Sequence, residues 1–468
     1  MVLLFEESHI VPTSRSPLTM TEAIPFLPGL SLVEGKALTA TFDGGRLSSD
    51  GGVIVLREIE QRLGVAETIT KPLPDARDPT RVVHSYNDMT RARLLAIAAG
   101  YEDCNDLDGL CIDPVFKMGC DRAPDSGQDL MSQPTLSRLE NLPQRRALVR
   151  IGIGMIDLFC RSYATPPARI ELDIDETEDA VHGGQQLALF NAHYDSTCFL
   201  PIHIFEAISG KPVFSLLRPG KRPSGEEGAR ILRHVIRRIR KHWPKVEILV
   251  RGDSHYGTAP VLALLEKMRC DYIIGLAINS ILKGMAEPWL AQCNKRCGPK
   301  ARPNARKVRR FHQFPYAAGT WSRMRKVIAR VEATEMGTDV RFIVTNLVGR
   351  GKTLYEKIYC ARGSMENLIK DLKRYTRSDK TACSRWEANQ FRLFLHMGAY
   401  WLLHTLRRSM PRRSIWRGAT FETIRRCFVK VAVRVTELKS RIKIAFPAAY
   451  PYAQDLIALT GRLTAQGP

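Results

Sequence analysis

Apolar and polar positions alternate from Ile170 onward, where Ile170, Leu172 and Ile174 are interleaved with Glu171, Asp173 and Asp175. A period of two predicts a strand with one apolar face and an acidic one. The segments CFLPIHIFEAIS and KPVFSLLRPG read as two further strands, with a turn at Gly210-Lys211. A basic amphipathic helix over Glu226–His242 follows, then the apolar strand VEILVRGD, a helix over 258–270 and the strand CDYIIGLAI. This order predicts an α/β mixed-sheet core. Residues 280–350 break the rhythm with Pro288, Pro299, Pro303 and Pro315 and with the alternating segments RMRKVIARVEA and DVRFIVTNL. They read as a β-rich insertion.

Helical patterning flanks this core. Residues 52–65 and 90–122 read as helices, the second with Leu94, Leu95, Ile97 and Ala98 at helical spacing. Pro134 to Glu140 begins like a capped helix, with Thr135 and Ser137 placed to bond early amides. It reads either as a structural helix or, in a basic protein, as a recognition helix. Helical spacing returns after Leu354 to about residue 445. There, FETIRRCFVKVAVRVTELKSRI sets basic residues between apolar ones, as a DNA-tracking or a dimerising helix would. Two Asp-Gly-Gly turns flank residues 46–49; without a GxxxxGK[ST] run they are turns before they are a phosphate cradle. Four units result: a loose, proline-containing leader over 1–35, a mostly helical domain over 36–165, an α/β domain over 166–408, and a basic C-terminal helical region over 409–468.

Charge narrows the partner. Seventy Lys and Arg oppose 48 Asp and Glu, a formal net charge of +22, which favours a polyanion. Twelve cations and no acid fall between residues 295 and 330, among them Arg309, Arg310, Arg323, Arg325 and Lys326. Phe311, Phe314, Tyr316 and Trp321 are interleaved with them, and phosphate contact with aromatic stacking grips distorted or single-stranded DNA. No run approaches the ~18 apolar residues of a membrane span, and the acidic start MVLLFEESHI lacks a signal peptide's basic region. The eleven cysteines include no CxxC pair, and Cys293-x3-Cys297 has no second metal-ligating pair, so reduced thiols and a cytoplasmic setting are expected.

Candidate chemistry is carboxylate. Asp175 and Asp253 end two predicted strands, and Glu366 lies at a predicted helix start. Groups at carboxyl strand ends line the crevice of an α/β sheet. Three carboxylates converging there are suited to two hard divalent cations for phosphoryl transfer. Taken singly, each acid would more often cap a strand or pair with an arginine. Asp173 and Asp179 compete with Asp175 for the first position, and Asp173 shares its face in a regular strand. His182 reads as a metal or DNA contact or as a hydrogen-bonded loop histidine.

Tyr359-x2-Arg362-x3-Glu366-x6-Lys373 matches at every spacing the Y-(2)-R-(3)-E-(6)-K signature of IS4-type DDE transposases. Asp175-Glu176-Thr177 resembles the D-x-T of the family's first aspartate, and VRGDS the segment of its second. FDGGRLSSDGG, SQPTLSRLEN, LDIDETED with HGGQQ, and CARGSMENLIKDLK resemble the IS1380 branch, over residues 38 to 408. The resemblance implies an RNase H-like catalytic fold interrupted by a β-rich segment. It implies Asp175, Asp253 and Glu366 as the catalytic triad, binding two Mg²⁺ or Mn²⁺ ions. Arg362 and Lys373 would hold phosphates, and Tyr359 would contact phosphate, sugar or base. Trp321 would stack a flipped base. The chain would then be a bacterial, nucleoid-associated enzyme binding double-stranded transposon ends and target DNA, a homodimer when synapsed, with an end-binding domain at 36–165. A nuclease of the same fold without strand transfer and a non-catalytic DNA-binding relative are the rivals.

Overall fold

The computed structural model describes residues 27–297 and 307–465. Contacts divide the chain into a unit ending at Leu47 and one from Ser48 onward. The expected leader falls mostly outside the described residues. The second unit opens with α1 (Val53–Leu63) and α2 (Val65–Thr70), followed by α3 (Tyr86–Ala99), α4 (Gln133–Asn141) and α5 (Arg145–Arg161). The helix expected over 90–122 stops at Gly100, which is left-handed at φ 98°. Only the short helices Asp106–Leu110 and Pro114–Gly119 follow it. At α4 the capping bonds to amides are missing: Ser132 meets the Thr135 hydroxyl, 3.4 Å away, instead. The Asp50-Gly51-Gly52 turn is a place of backbone contact. A Cβ on Gly52 would lie 1.8 Å from the Phe428 carbonyl oxygen, and the Gly51 and Gly52 amides donate to the carbonyls of Val431 and Val429.

The core sheet follows in order. β1 (Arg169–Glu176), β2 (Ile202–Glu206) and β3 (Lys211–Leu216) form an antiparallel meander. Then come α6 (Gly225–His242), β4 (Glu247–Gly252), α7 (Ala259–Lys267) and β5 (Asp271–Leu276). β4 runs parallel to β1, and β5 parallel to β4. The lateral order β3-β2-β1-β4-β5 with these directions is that of an RNase H-like sheet.

The expected insertion is present and begins with α8 (Ser280–Lys295) before β6 (Lys307–Tyr316), β7 (Arg325–Thr334) and β8 (Gly337–Thr345). β8 pairs antiparallel with β5, so the insertion prolongs the core sheet to eight strands. A helical stretch from Gly351 to Tyr375 then widens to π geometry at Leu354–Tyr359 and Asp371–Tyr375, around α9 (Ser364–Lys370). The buried α10 (Trp386–Ser409) runs through the centre of the unit, packing on α3 and β3. Beyond it the expected long helix over 421–442 is not formed. A short helix at Phe421–Ile424, continued with π geometry over Arg425–Val429, gives way to β9 (Val433–Glu437) and β10 (Ile442–Ala445), and α11 (Ala453–Ala465) ends the description. The reason is a period of two: Val431, Val433 and Val435 are buried while Ala432, Arg434 and Thr436 are exposed, a pattern β-branched residues favour.

α10 carries a pH-sensitive feature. His404 is fully packed and its Nε2 lies 2.9 Å from the Ser209 carbonyl oxygen, to which it donates. Burial pushes its pKa down to about 3. The folded ring stays neutral while an unfolded histidine titrates near 6.5, so its contribution is present above pH 6.5 and falls away below it. Relative to His404→Gln, the wild type is expected to lose about 1.4 kcal/mol per pH unit between pH 6.5 and 5. Urea unfolding of both proteins at fixed ionic strength measures this, and parallel pH dependences would refute it.

Candidate active site

Parallel pairing of Ile174 with Gly252 brings the carboxyl ends of β1 and β4 level. The next residues on each strand that face the crevice are Asp175 and, just past β4, Asp253. Burial raises the Asp175 pKa to about 7, with Arg362 opposing and Asp253 adding repulsion. Burial also raises Asp253, against the His255 imidazole. Arg362 lies over the pair and donates Nη2 to Asp175 Oδ2 at 3.1 Å. Its buried Nε has no partner among the described residues, which leaves a donor free for a further acceptor.

Tyr359 closes the far side. A Cβ on Gly275 of β5 would come 2.9 Å from the Tyr359 hydroxyl and 2.7 Å from the Ser254 amide. A glycine here lets the tyrosine and the Asp253 loop approach the sheet. Glu176, turned the other way on β1, accepts from Tyr256 at 2.8 Å and from His255 Nδ1. Burial opposes its charge, but these bonds outweigh burial and leave its pKa low, while the bond to Glu176 raises that of His255. This bracing of the Asp253 loop has no signature in the sequence beyond the run Asp253-Ser254-His255-Tyr256.

The competing acids have partners of their own. Asp173 is fully buried and takes a two-pronged contact from Arg251, 2.6 and 2.8 Å. Asp179, also buried, is 3.3 Å from Lys373 Nζ. Lys373 in addition donates to the Thr177 hydroxyl at 3.2 Å and to the Glu178 carbonyl. The threonine after Asp175 and the lysine seven residues after Glu366 therefore form one link between strand and helix. Glu366 stands on the exposed side of α9, and among the described residues its carboxylate makes no hydrogen bond or ion pair. Among the described residues no three His, Cys, Asp or Glu side chains gather closely enough to hold a metal ion. His182 sits on an exposed stretch before Gly183.

The basic insertion differs most from its expected surface. Trp321 is 9% exposed, edge-on to Tyr316, with the Arg325 guanidinium 5.0 Å from its ring centre. It is packed away rather than presented for stacking. Arg325 is buried and grips Glu266 of α7 at 2.7 and 2.9 Å, and Arg323 reaches the same carboxylate at 3.0 Å. Arg309 is held by Glu332 and Glu356, and Lys326 donates to the Leu347 carbonyl. Of the cations singled out, Arg310 alone is exposed without such a partner among the described residues. The acids that offset the run lie outside it, in α7, in β7 beyond residue 330, and after Lys352.

Two carboxylates at paired strand ends, both pushed up by burial and lying under one arginine, offer only oxygen ligands. Such a donor set suits a hard divalent cation, which would relieve the repulsion burial enforces. At the strand ends of an RNase H-like sheet, carboxylates of this kind are suited to holding a cation for phosphoryl transfer. The family model described as transposase DDE domain group 1 matches residues 30–468, and the chain belongs to that family: it is a DDE transposase, and its partner is DNA. Among solved structures it is similar to a piggyBac transposase synaptic complex with hairpin DNA seen by cryo-electron microscopy. Identity there is 10%, over 81% of this chain and 80% of that one, with a TM-score of 0.42. A search of curated proteins gives no match. No described helix is long and apolar enough to cross a membrane.

Proposed function

We propose that this chain is the cut-and-paste transposase of an insertion sequence, of IS4 type and of the IS1380 branch. On this reading it binds the terminal inverted repeats of its element, hydrolyses the 3′ strand at each end and joins the freed 3′-OH to target DNA. The observation that carries the reading is the Asp175–Asp253 pair at adjoining strand ends beneath Arg362. Asp175 and Asp253, with Glu366 four residues beyond Arg362, are the proposed ligands of two Mg²⁺ or Mn²⁺ ions. Bound there, the ions would activate a water or the DNA's 3′-OH and offset charge on the leaving oxygen.

The chain's own side chains bind and orient. Arg362, with its free buried Nε, offers a planar fork to the phosphate next to the cut. Tyr359 can donate its hydroxyl to a neighbouring phosphate. Lys373 sets the helix carrying Glu366 against β1 and reaches DNA only on leaving Asp179. Residues 36–165 are the proposed end-binding domain, 166–408 the catalytic domain and 409–468 a basic region on the DNA path. Pairing of two ends calls for a homodimer.

Linear DNA carrying the element's repeats, incubated with Mg²⁺ and a target plasmid, tests the reading. Cleavage at the repeat boundary with joined products is expected, and Glu366→Ala should bind the DNA but leave it uncut. Cutting without joining would leave a nuclease; binding without metal-dependent cutting would leave a non-catalytic relative.

A further inference from the structure

Lys307, Arg309, Arg323, Arg325 and Arg330 of the basic run are engaged by acids, whereas six cations on the outer faces of α5 and α6 are not. α6 buries Ile231, Leu232, Val235, Ile236 and Ile239. Its opposite face exposes Arg230, Arg233, Arg237 and Lys241, one cation per turn. α5 packs beside it and adds exposed Arg146 and Arg150. Among the described residues these six make no hydrogen bond or ion pair. The nearby acids are already taken: Glu227 by Arg218, at 2.6 and 2.7 Å, and Asp157 by Arg238 and His242, at 2.5 to 2.8 Å. Glu226 at the start of α6 is the one exposed acid on that face.

A solvated helix face ordinarily alternates charges at i,i+4. Here the spacings 230/233, 233/237 and 237/241 set like charges against one another, an arrangement that repels unless a polyanion lies along it.

The direction of α6 says where that polyanion leads. Its N-terminal turn packs on the loop after Asp253: a Cβ on Gly225 would lie 2.6 Å from Thr258 Oγ1, and one on Gly228 3.4 Å from the Tyr256 ring. Its C-terminus turns through Trp243 into the start of β4. The cation row therefore leaves the catalytic end of the sheet and runs about 16 Å to the opposite end, at 1.5 Å per residue. That length spans about five phosphates of one DNA strand at 3.4 Å each.

We infer that the outer face of α6, widened by Arg146 and Arg150 of α5, is a sequence-independent duplex-DNA surface carrying DNA away from the cut site. The inference rests on the transposase reading for the identity of the polyanion. The groove between the same helices has an apolar floor at Leu148, Ile153 and Phe214, so an acidic helix of a partner protein is the other candidate occupant.

The test reads binding only, so its failure is separate from any failure to cleave. Wild type and the variant Arg230→Gln/Arg233→Gln/Arg237→Gln/Lys241→Gln are titrated with two duplexes, ending about 4 and about 20 base pairs beyond the cleaved position, from 50 to 200 mM salt. The exposed glutamines keep helix-forming side chains, and circular dichroism checks the fold. On the long duplex the slope of log K against log salt should fall by two to four, at about 0.9 per phosphate released. Affinity at 150 mM salt should drop at least tenfold, with the short duplex hardly changed. Equal losses on both duplexes would mean a general charge effect and overturn the inference. An unchanged slope on the long duplex would also overturn it and return the face to a protein partner.

Discussion

Asp175→Asn is expected to slow single-turnover strand cleavage by at least a thousandfold while leaving the protein as stable as wild type, or stabler by about 1 kcal/mol. The two effects share a cause. Asparagine keeps the shape of the side chain and removes the charge a divalent cation needs, so the chemistry fails. The same charge is a burden on the metal-free fold, because burial and Asp253 raise the Asp175 pKa to about 7 from an ordinary value near 3.8. A carboxyl whose folded pKa is raised loses stability as pH climbs from its unfolded pKa through its folded one. Above pH 7 that penalty is fully present in wild type and absent in the variant. Thermal unfolding with EDTA at pH 8, beside the cleavage rate with Mg²⁺, gives both numbers. A variant that cuts at a tenth of the wild-type rate, or that unfolds several degrees lower, would remove Asp175 from the metal site.

That contrast also marks what the chain declares in one dimension. The alternation of Ile170, Leu172 and Ile174 with acids declares a strand, and the acid at the end of VEILVRGD declares a neighbouring strand end. Together with the intervening helices they lead to an α/β mixed-sheet core; the RNase H-like order that the sheet has is implied only by the resemblance carried by Tyr359, Arg362, Glu366 and Lys373. Which acid serves the site is not legible there, because Asp173 and Asp175 share a face by construction. In the structure the two acids differ in partner: Arg251 reaches across from β4 to Asp173, and Arg362 reaches from the helical stretch to Asp175. Both partners are long-range, and no local period reveals them. The basic run is the same case in reverse. Twelve cations without an acid within 295–330 read as open surface, yet Glu266, Glu332 and Glu356 arrive from elsewhere to pair with them. Strand and helix also compete locally at 431–436, where Arg434 is the one basic residue among alternating valines and the β-branched side chains favour the shorter period.

Arg251→Met is expected to destabilise the fold by about 3–5 kcal/mol, the cost of leaving a buried carboxylate without its partner. Arg251 is 2% exposed and Asp173 fully buried, joined at 2.6 and 2.8 Å, with Glu171 3.1 Å away. The guanidinium also donates to the Ile358 carbonyl at 3.1 Å, so it ties the sheet to the helical stretch that carries Tyr359 and Arg362. Burial holds the Asp173 pKa at about 6 even against the arginine. Without the arginine it rises further, and a neutral carboxyl tolerates burial far better than an anion. The loss should therefore be greatest at pH 8 and shrink as the pH falls below 6. Asp173→Leu added to Arg251→Met removes the stranded charge and should recover more than half of the loss, since a buried pair replaced by apolar side chains is often close to neutral. Cleavage should stay low in the double variant, because the anchor on Ile358 is still gone. Urea unfolding at pH 5 and pH 8 reads the stabilities. A single-variant loss below 1 kcal/mol, or a double variant no better than the single, would show that the pair does not hold β1 against β4.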